Sequence, residues 1–219
     1  MIDTLDSAYQ LSCHKENEMK RITALLAIFA IVVASSSAQA AKKPAKKTAK
    51  KTVKKTVKVG TKAPKFQIKD SRGKIIDLAK LTAKGPVLVR LTCGCSGCDK
   101  ELAYFQTLHK AYKGKGLTSL AIFREPDKKV EKYVKRKKLN MLYAIDSKGT
   151  SWGIFQTKTM PSNFLIEKGG KIRAIAAGCD PSGLIAKALA KKVASLLKTS
   201  AVDVQKVTNN KNKTAKVKK

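Results

Sequence analysis

Residues 86–102 read PVLVRLTCGCSGCDKEL, and the reading of this stretch decides the fold. Pro86 to Leu91 is a buried-type strand, apolar except for Arg90. From Cys98 onward Leu102, Phe105, Leu108 and Tyr112 recur at helical spacing, until Gly114 and Gly116 end the pattern. Cys93, Cys95 and Cys98 therefore lie where a strand passes into a helix. In a C-x-x-C at a helix start, the first sulfur meets unpaired backbone N–H groups and the positive end of the helix dipole. Both favour the thiolate over the thiol, whose pKa is otherwise about 8.5. The second sulfur, one turn on, can resolve a mixed disulfide. Cys95 is thus the expected attacking thiolate and Cys98 its resolving partner. Two quieter arrangements fit the same residues: an inert disulfide, and a tetrathiolate metal site made with Cys179.

Working outward, Phe66-x-Ile68, the Ser71-Arg72-Gly73 turn and Ile75-Ile76 predict a short hairpin ahead of the motif. After the motif helix come a strand at Leu117 to Phe123 and a Lys-rich helix from Asp127 to Lys138, with Val130, Tyr133 and Val134 inward. A short strand at Met141 to Ile145 follows. Phe164 to Ile166 and Ile172 to Ala176 form a hairpin around Lys168-Gly169-Gly170, and Pro181 to Leu197 is a closing amphipathic helix. Trp152 and Tyr143 read as core. The expected fold is α/β: a central mixed sheet flanked by helices, with an N-terminal β-hairpin extension.

Charge divides the 219 residues further. The net charge is +32, yet only six of the 47 basic residues are Arg, which favours diffuse charge over bidentate recognition. Residues 41–59 carry nine Lys and no acid, with a Lys-Lys pair every four residues. Like charges at that spacing, together with Pro44, oppose a helix and predict a disordered linker. Residues 198–219 carry seven Lys against Asp203 alone and read as a disordered basic tail. Residues 60–197 are the expected folded domain. Such arms are either plain spacers or attractors of an anionic surface: lipid, cell wall or another polyanion. No specific nucleic-acid partner is implied.

Residues 1–40 read as a signal peptide. Lys20 and Arg21 form its charged start, Ile22 to Ala34 its apolar run, and Ser35 to Ala40 ends in Ala-x-Ala. The run is shorter than the roughly 20 residues of a membrane span. Asp3, Asp6, Glu16 and Glu18 are foreign to such a start, so Met19 is the expected initiation site. Cys13 and His14 would then be absent from the mature protein, which would be periplasmic or secreted.

The order of these signals resembles the thioredoxin-like superfamily. The match is to the branch holding extracytoplasmic thiol–disulfide reductases and the alkyl hydroperoxide reductase/thiol-specific antioxidant (AhpC/TSA) proteins. It rests on Gly60-Thr61-Lys62-Ala63-Pro64-Lys65-Phe66, Asp70 to Lys74, Lys84-Gly85-Pro86 to Val89, Cys95-Ser96-Gly97-Cys98 with Glu101-Leu102, and Pro161 to Ile166. The resemblance implies an exported thiol–disulfide oxidoreductase acting on disulfide-containing proteins, supplied by a thiol electron donor and needing no cofactor or metal. It implies that Pro161 is a cis-proline aligning substrate beside the cysteines, and that Glu125 handles protons for them. Arg90, where relatives keep a buried acid, becomes a candidate stabiliser of thiolate. Cys93 and Cys179 are auxiliary redox candidates, because the last hairpin returns Cys179 toward the motif. Gly94 stands where the family usually has Trp. A peroxiredoxin-like antioxidant role is the alternative, since Thr92-x-x-Cys95 resembles the peroxidatic pattern. Leu88 and Met160 replace that pattern's Pro and Arg. A third class is a non-catalytic module binding metal or polyanion. Copper-delivery relatives space their cysteines more widely and add a distant His, whereas His109 here is mid-helix.

Overall fold

The computed structural model describes residues 56–217, with side chains through Lys211. The expected signal peptide, Cys13, His14, most of the Lys-rich stretch and the last two residues lie outside that span. An antiparallel hairpin, β1 (Gln67–Lys69) and β2 (Ile75–Asp77), comes first. Its turn closes on Asp70, whose Oδ1 accepts from the N–H groups of Arg72 and Lys74. Asp77 then caps α1 (Leu78–Lys84) by accepting from the N–H groups of Ala79 and Lys80.

The main sheet is built from β3 (Val87–Thr92), β4 (Thr118–Phe123), β5 (Leu142–Ile145), β6 (Ser162–Ile166) and β7 (Ile172–Ala177). Their spatial order is β5-β4-β3-β6-β7. β4 lies parallel to both β3 and β5, while β6 is antiparallel to β3 and β7. Helices α2 (Ser96–Tyr112), α3 (Asp127–Lys137), α4 (Thr150–Ile154), α5 (Leu184–Leu196) and α6 (Val204–Val217) complete the fold.

Strand alternation explains the two cores. Val87, Val89 and Leu91 face one side with Leu120, Ile122, Phe164 and Trp152. Leu88 faces the other, among Phe105, Leu108, Tyr112, Leu165 and Leu189. Arg90 has the parity of Leu88, so a charged side chain points beneath α2 rather than into solvent.

The expected elements form within a residue or two of their predicted limits, except at the closing helix. That helix starts at Leu184, because Asp180 turns the preceding loop by accepting from the N–H groups of Ser182 and Ile185. The tail differs more. It was expected to be disordered from residue 198, and it carries α6 instead. Val204 and Thr208, one turn apart, are buried against α2. Thr208 Oγ1 lies 2.8 Å from Thr107 Oγ1, and Tyr104 Oη donates to Asn209 Oδ1 over 2.9 Å. Asp203 opens the helix by accepting from the Lys206 N–H. Lys content hid this stripe, because its buried side is only one residue wide per turn.

Candidate functional site

Three sulfurs converge where β3 runs into α2. Cys93 follows the last residue of the strand, Cys95 is the N-cap of the helix, and Cys98 sits in its first turn. All three Sγ atoms lie within 4.8 Å of one another. Cys95 is exposed, Cys93 half-buried and Cys98 3% exposed. The disulfide joins Cys93 to Cys95, with Cα atoms 5.3 Å apart. Cys95 and Cys98 are therefore not bonded to each other, contrary to the pairing expected from C-x-x-C. Cys98 is a free thiol whose Sγ lies 3.3 Å from that of Cys93. The expectation weighted the four-residue spacing and left Cys93 as an auxiliary, although the strand end already points its sulfur into the same cluster.

The Met160–Pro161 peptide bond is cis. Leu91 pairs with Ser162 across the β3–β6 ladder, so the antiparallel register sets Pro161 opposite Thr92, one residue from Cys93. The Pro161 carbonyl accepts from the Gly178 N–H, which draws the end of β7 to the same place. Cys179 follows. Its thiol lies 2.9 Å from the Gly97 carbonyl between the motif cysteines, and a Cβ on Gly97 would sit 3.9 Å from that sulfur. The last hairpin thus returns Cys179 to the motif as the sequence suggested. Burial, with the negative charges of Glu101 and Cys98, pushes the Cys179 thiol above its ordinary pKa.

Arg90 is 2% exposed and does not reach for sulfur. Its Nη2 donates to Glu101 Oε1 at 2.7 Å and its Nη1 to Asn163 Oδ1 at 2.9 Å. The guanidinium also stacks 4.2 Å from the Phe105 ring centroid. Glu101, 1% exposed, spends its other oxygen on the Asp180 N–H, at 3.3 Å. The expected thiolate stabiliser is thus neutralised by a carboxylate and acts as the pillar between β3, α2 and the Cys179 loop. Sequence reasoning used Glu101 only as part of a motif. Its signal was present, since a buried strand Arg requires an acid within reach.

Glu125 sits where expected, against the motif loop. Its Oε1 accepts from the Gly94 N–H at 2.6 Å, while Oε2 is buried with no hydrogen-bond partner. Gly94, in place of the usual Trp, has a steric cause. A Cβ there would stand 3.2 Å from the Tyr133 ring and 3.6 Å from Glu125 Oε1. Tyr133 donates to Asp99 Oδ1, and burial with the Asp99 carboxylate pushes the phenol far above its ordinary pKa. Asp99 also pairs with Lys137 at 2.6 Å. Gly94, Glu125, Val130 and Tyr133 line a cavity of about 190 Å³ beside the cysteines.

The AhpC/TSA family model matches residues 59–175, more than half of the chain. The chain belongs to the AhpC/TSA family. Among curated relatives, the thiol-disulfide oxidoreductase ResA of Bacillus cereus is 35% identical over 115 residues, which cover 52% of this chain and 66% of the relative. The ResA of Geobacillus kaustophilus is 32% identical over 121 residues, covering 55% of this chain and 70% of the relative. The chain thus spans about two thirds of the length of these relatives. Solved structures share the fold. The thioredoxin domain of a thiol-disulfide oxidoreductase from Bacteroides vulgatus superimposes with TM-score 0.55 at 22% identity, covering 63% of this chain and 99% of that one. Peroxidoxin BcpB of Mycobacterium tuberculosis does so with TM-score 0.53 at 21% identity, covering 65% and 97%. This AhpC/TSA protein therefore has the central mixed sheet and flanking helices of the thioredoxin-like branch. Among the described residues, no helix is long and apolar enough to cross a membrane.

Proposed function

We propose that the protein is an exported thiol–disulfide oxidoreductase of the periplasm or cell exterior, working on disulfides in other proteins. The observation that carries this reading is the exposed Cys95 at the N-cap of α2, with two further sulfurs behind it and the Pro161 loop beside it. In the reduced protein the Cys95 thiolate attacks one sulfur of a substrate disulfide. A mixed disulfide forms and the other substrate sulfur leaves as thiolate. A neighbouring thiolate then attacks Cys95 Sγ, the second substrate thiol departs, and two electrons have passed to the substrate. Cys93 is the neighbour favoured by the bond observed. Cys98, 3.3 Å behind, can next attack Cys93 and free Cys95 again without any change in redox state. The unpartnered Glu125 carboxylate oxygen beside the motif loop supports a role in moving the protons.

An anionic surface held by the Lys-rich arms would set where this chemistry occurs. The direction of electron flow follows from the potential of the cysteine cluster, which lies nearer about −270 mV for a reductant and about −120 mV for an oxidant. The test is insulin-disulfide reduction by the wild type and Cys95→Ser, beside hydroperoxide consumption. Insulin turnover that disappears in Cys95→Ser is the expected result. Hydroperoxide turnover exceeding disulfide turnover would move the protein to the peroxidase reading. That reading has less support, because the Thr92 hydroxyl is engaged with the Cys93 carbonyl at 3.4 Å.

A further inference from the structure

Thiol–disulfide exchange needs two sulfurs, and the site has three within one small volume. Cys93, Cys95 and Cys98 reach it from a strand end, an N-cap and a first helical turn, so the backbone delivers all three donors without rearranging the sheet. A tetrahedral zinc–thiolate centre has Zn–S bonds of about 2.3 Å, which sets its sulfurs roughly 3.8 Å apart. In the disulfide form, with Cys93 bonded to Cys95, the three Sγ atoms lie within 4.8 Å of one another and Cys98 Sγ is 3.3 Å from that of Cys93. The helix N-terminus adds positive potential that offsets the charge of gathered thiolates. Cys179 lies outside this group of three, its sulfur beside Gly97 between Cys95 and Cys98. Soft thiolate donors select cations of the zinc class over calcium or magnesium.

We propose that the reduced protein binds one thiolate-seeking d10 cation of the zinc class through Cys93, Cys95 and Cys98, with Cys179 closing the fourth position. Binding displaces one proton from each coordinating thiol and changes no oxidation state. A small oxidised disulfide takes two electrons from Cys93 and Cys95 as their own disulfide forms. The small disulfide is reduced to two thiols, and the site loses two of its donors. Metal and disulfide therefore exclude each other. The cation would guard the reduced cluster against oxidation and leave as the disulfide forms.

The test titrates the thiol-reduced and the oxidised protein with Zn(II), and follows Cd(II) by its ultraviolet sulfur-to-metal band. One equivalent in the reduced form and none in the oxidised form is expected. Saturating Zn(II) should slow iodoacetamide labelling of Cys93, Cys95 and Cys98 at least tenfold, as mapped by peptide. Cys93→Ser should weaken Zn(II) binding at least tenfold with the circular dichroism spectrum retained, and Cys179→Ser should weaken it less. Labelling in the unaltered protein covers the case in which a variant fails to fold. Absence of protection, or binding that survives Cys93→Ser unchanged, overturns the site. Insulin turnover of the same metal-free preparation is read separately, so a failed metal site leaves the oxidoreductase reading standing, and the converse also holds.

Discussion

The two flanks of the motif loop hold one acid each, Glu101 buried and Glu125 half-buried, and they are built oppositely. On the β6 side, Glu101 spends both oxygens, one on Arg90 and one on the Asp180 N–H, while Arg90 is also bonded to Asn163. On the β4 side, Glu125 spends one oxygen on the Gly94 N–H and leaves the other buried without a partner. A closed network contributes rigidity and has no capacity left for chemistry. An acid with an unused oxygen raises the free energy of the resting fold, and it keeps a position to which a proton can move. The flanks therefore separate scaffold from working part, although both acids stand within a few residues of cysteine in space or sequence.

The sharpest way to break this contrast is to open the closed flank. Glu101→Gln leaves the Arg90 charge buried without its counter-ion, and should cost about 3–5 kcal/mol in urea unfolding. Replacing Arg90 by Met together with Glu101 by Leu should recover most of that loss. If Glu101→Gln unfolds at the wild-type midpoint, the pair is not the pillar described.

The open flank should respond in the other observable. Glu125→Gln keeps the acceptor facing Gly94 and replaces only the carboxylate. Disulfide turnover should fall on the order of 100-fold, with the unfolding midpoint shifted little. A drop in stability with turnover intact would reverse the assignment of the two flanks.

A buried unpartnered group away from the loop supplies a control. His109 Nδ1 is such a group, on α2, and burial with Lys113 nearby holds its pKa below the usual 6.5. The folded form then binds a proton less readily than the unfolded chain. This residue costs nothing well above pH 6.5, and stability declines as pH falls below it until the lowered folded value is passed. His109→Gln should flatten that slope in urea unfolding across pH and leave turnover unchanged. Altered turnover would show that the missing partner at Glu125 is not by itself the mark of function.

Smallest in effect is the order of thiol reactivity. Iodoacetamide at graded pH should label Cys95 first in the reduced protein, and Cys179 only at higher pH, because burial and the charges of Glu101 and Cys98 raise the latter. Equal labelling of the two would remove the electrostatic asymmetry around Glu101.

Much of this arrangement was legible before any coordinates. The helical stripe through Leu102, Phe105 and Leu108 and the turn residues of the two hairpins are local signals, and they placed both the sheet and the motif. Glu125 was reached through the family resemblance and Cys179 through topology, since the end of β7 returns beside the start of β6, next to the end of β3. Two things were not legible. The partner of Arg90 depends on which face of α2 lies over the sheet, a three-dimensional fact that spacing alone does not encode. The burial of α6 depends on a groove formed by Thr107 and Tyr104, which exists only after α2 has packed.

The central place of β3 has a consequence for motion. Its amides are laddered to β4 on one side and β6 on the other, so they should exchange with deuterium only when the whole sheet opens. The cysteines begin one residue beyond this ladder. Any change of sulfur partner must therefore be taken up by residues 93–97 and the first turn of α2. The strand beneath is an anvil: chemistry can reshape the loop on it many times over without loosening the fold.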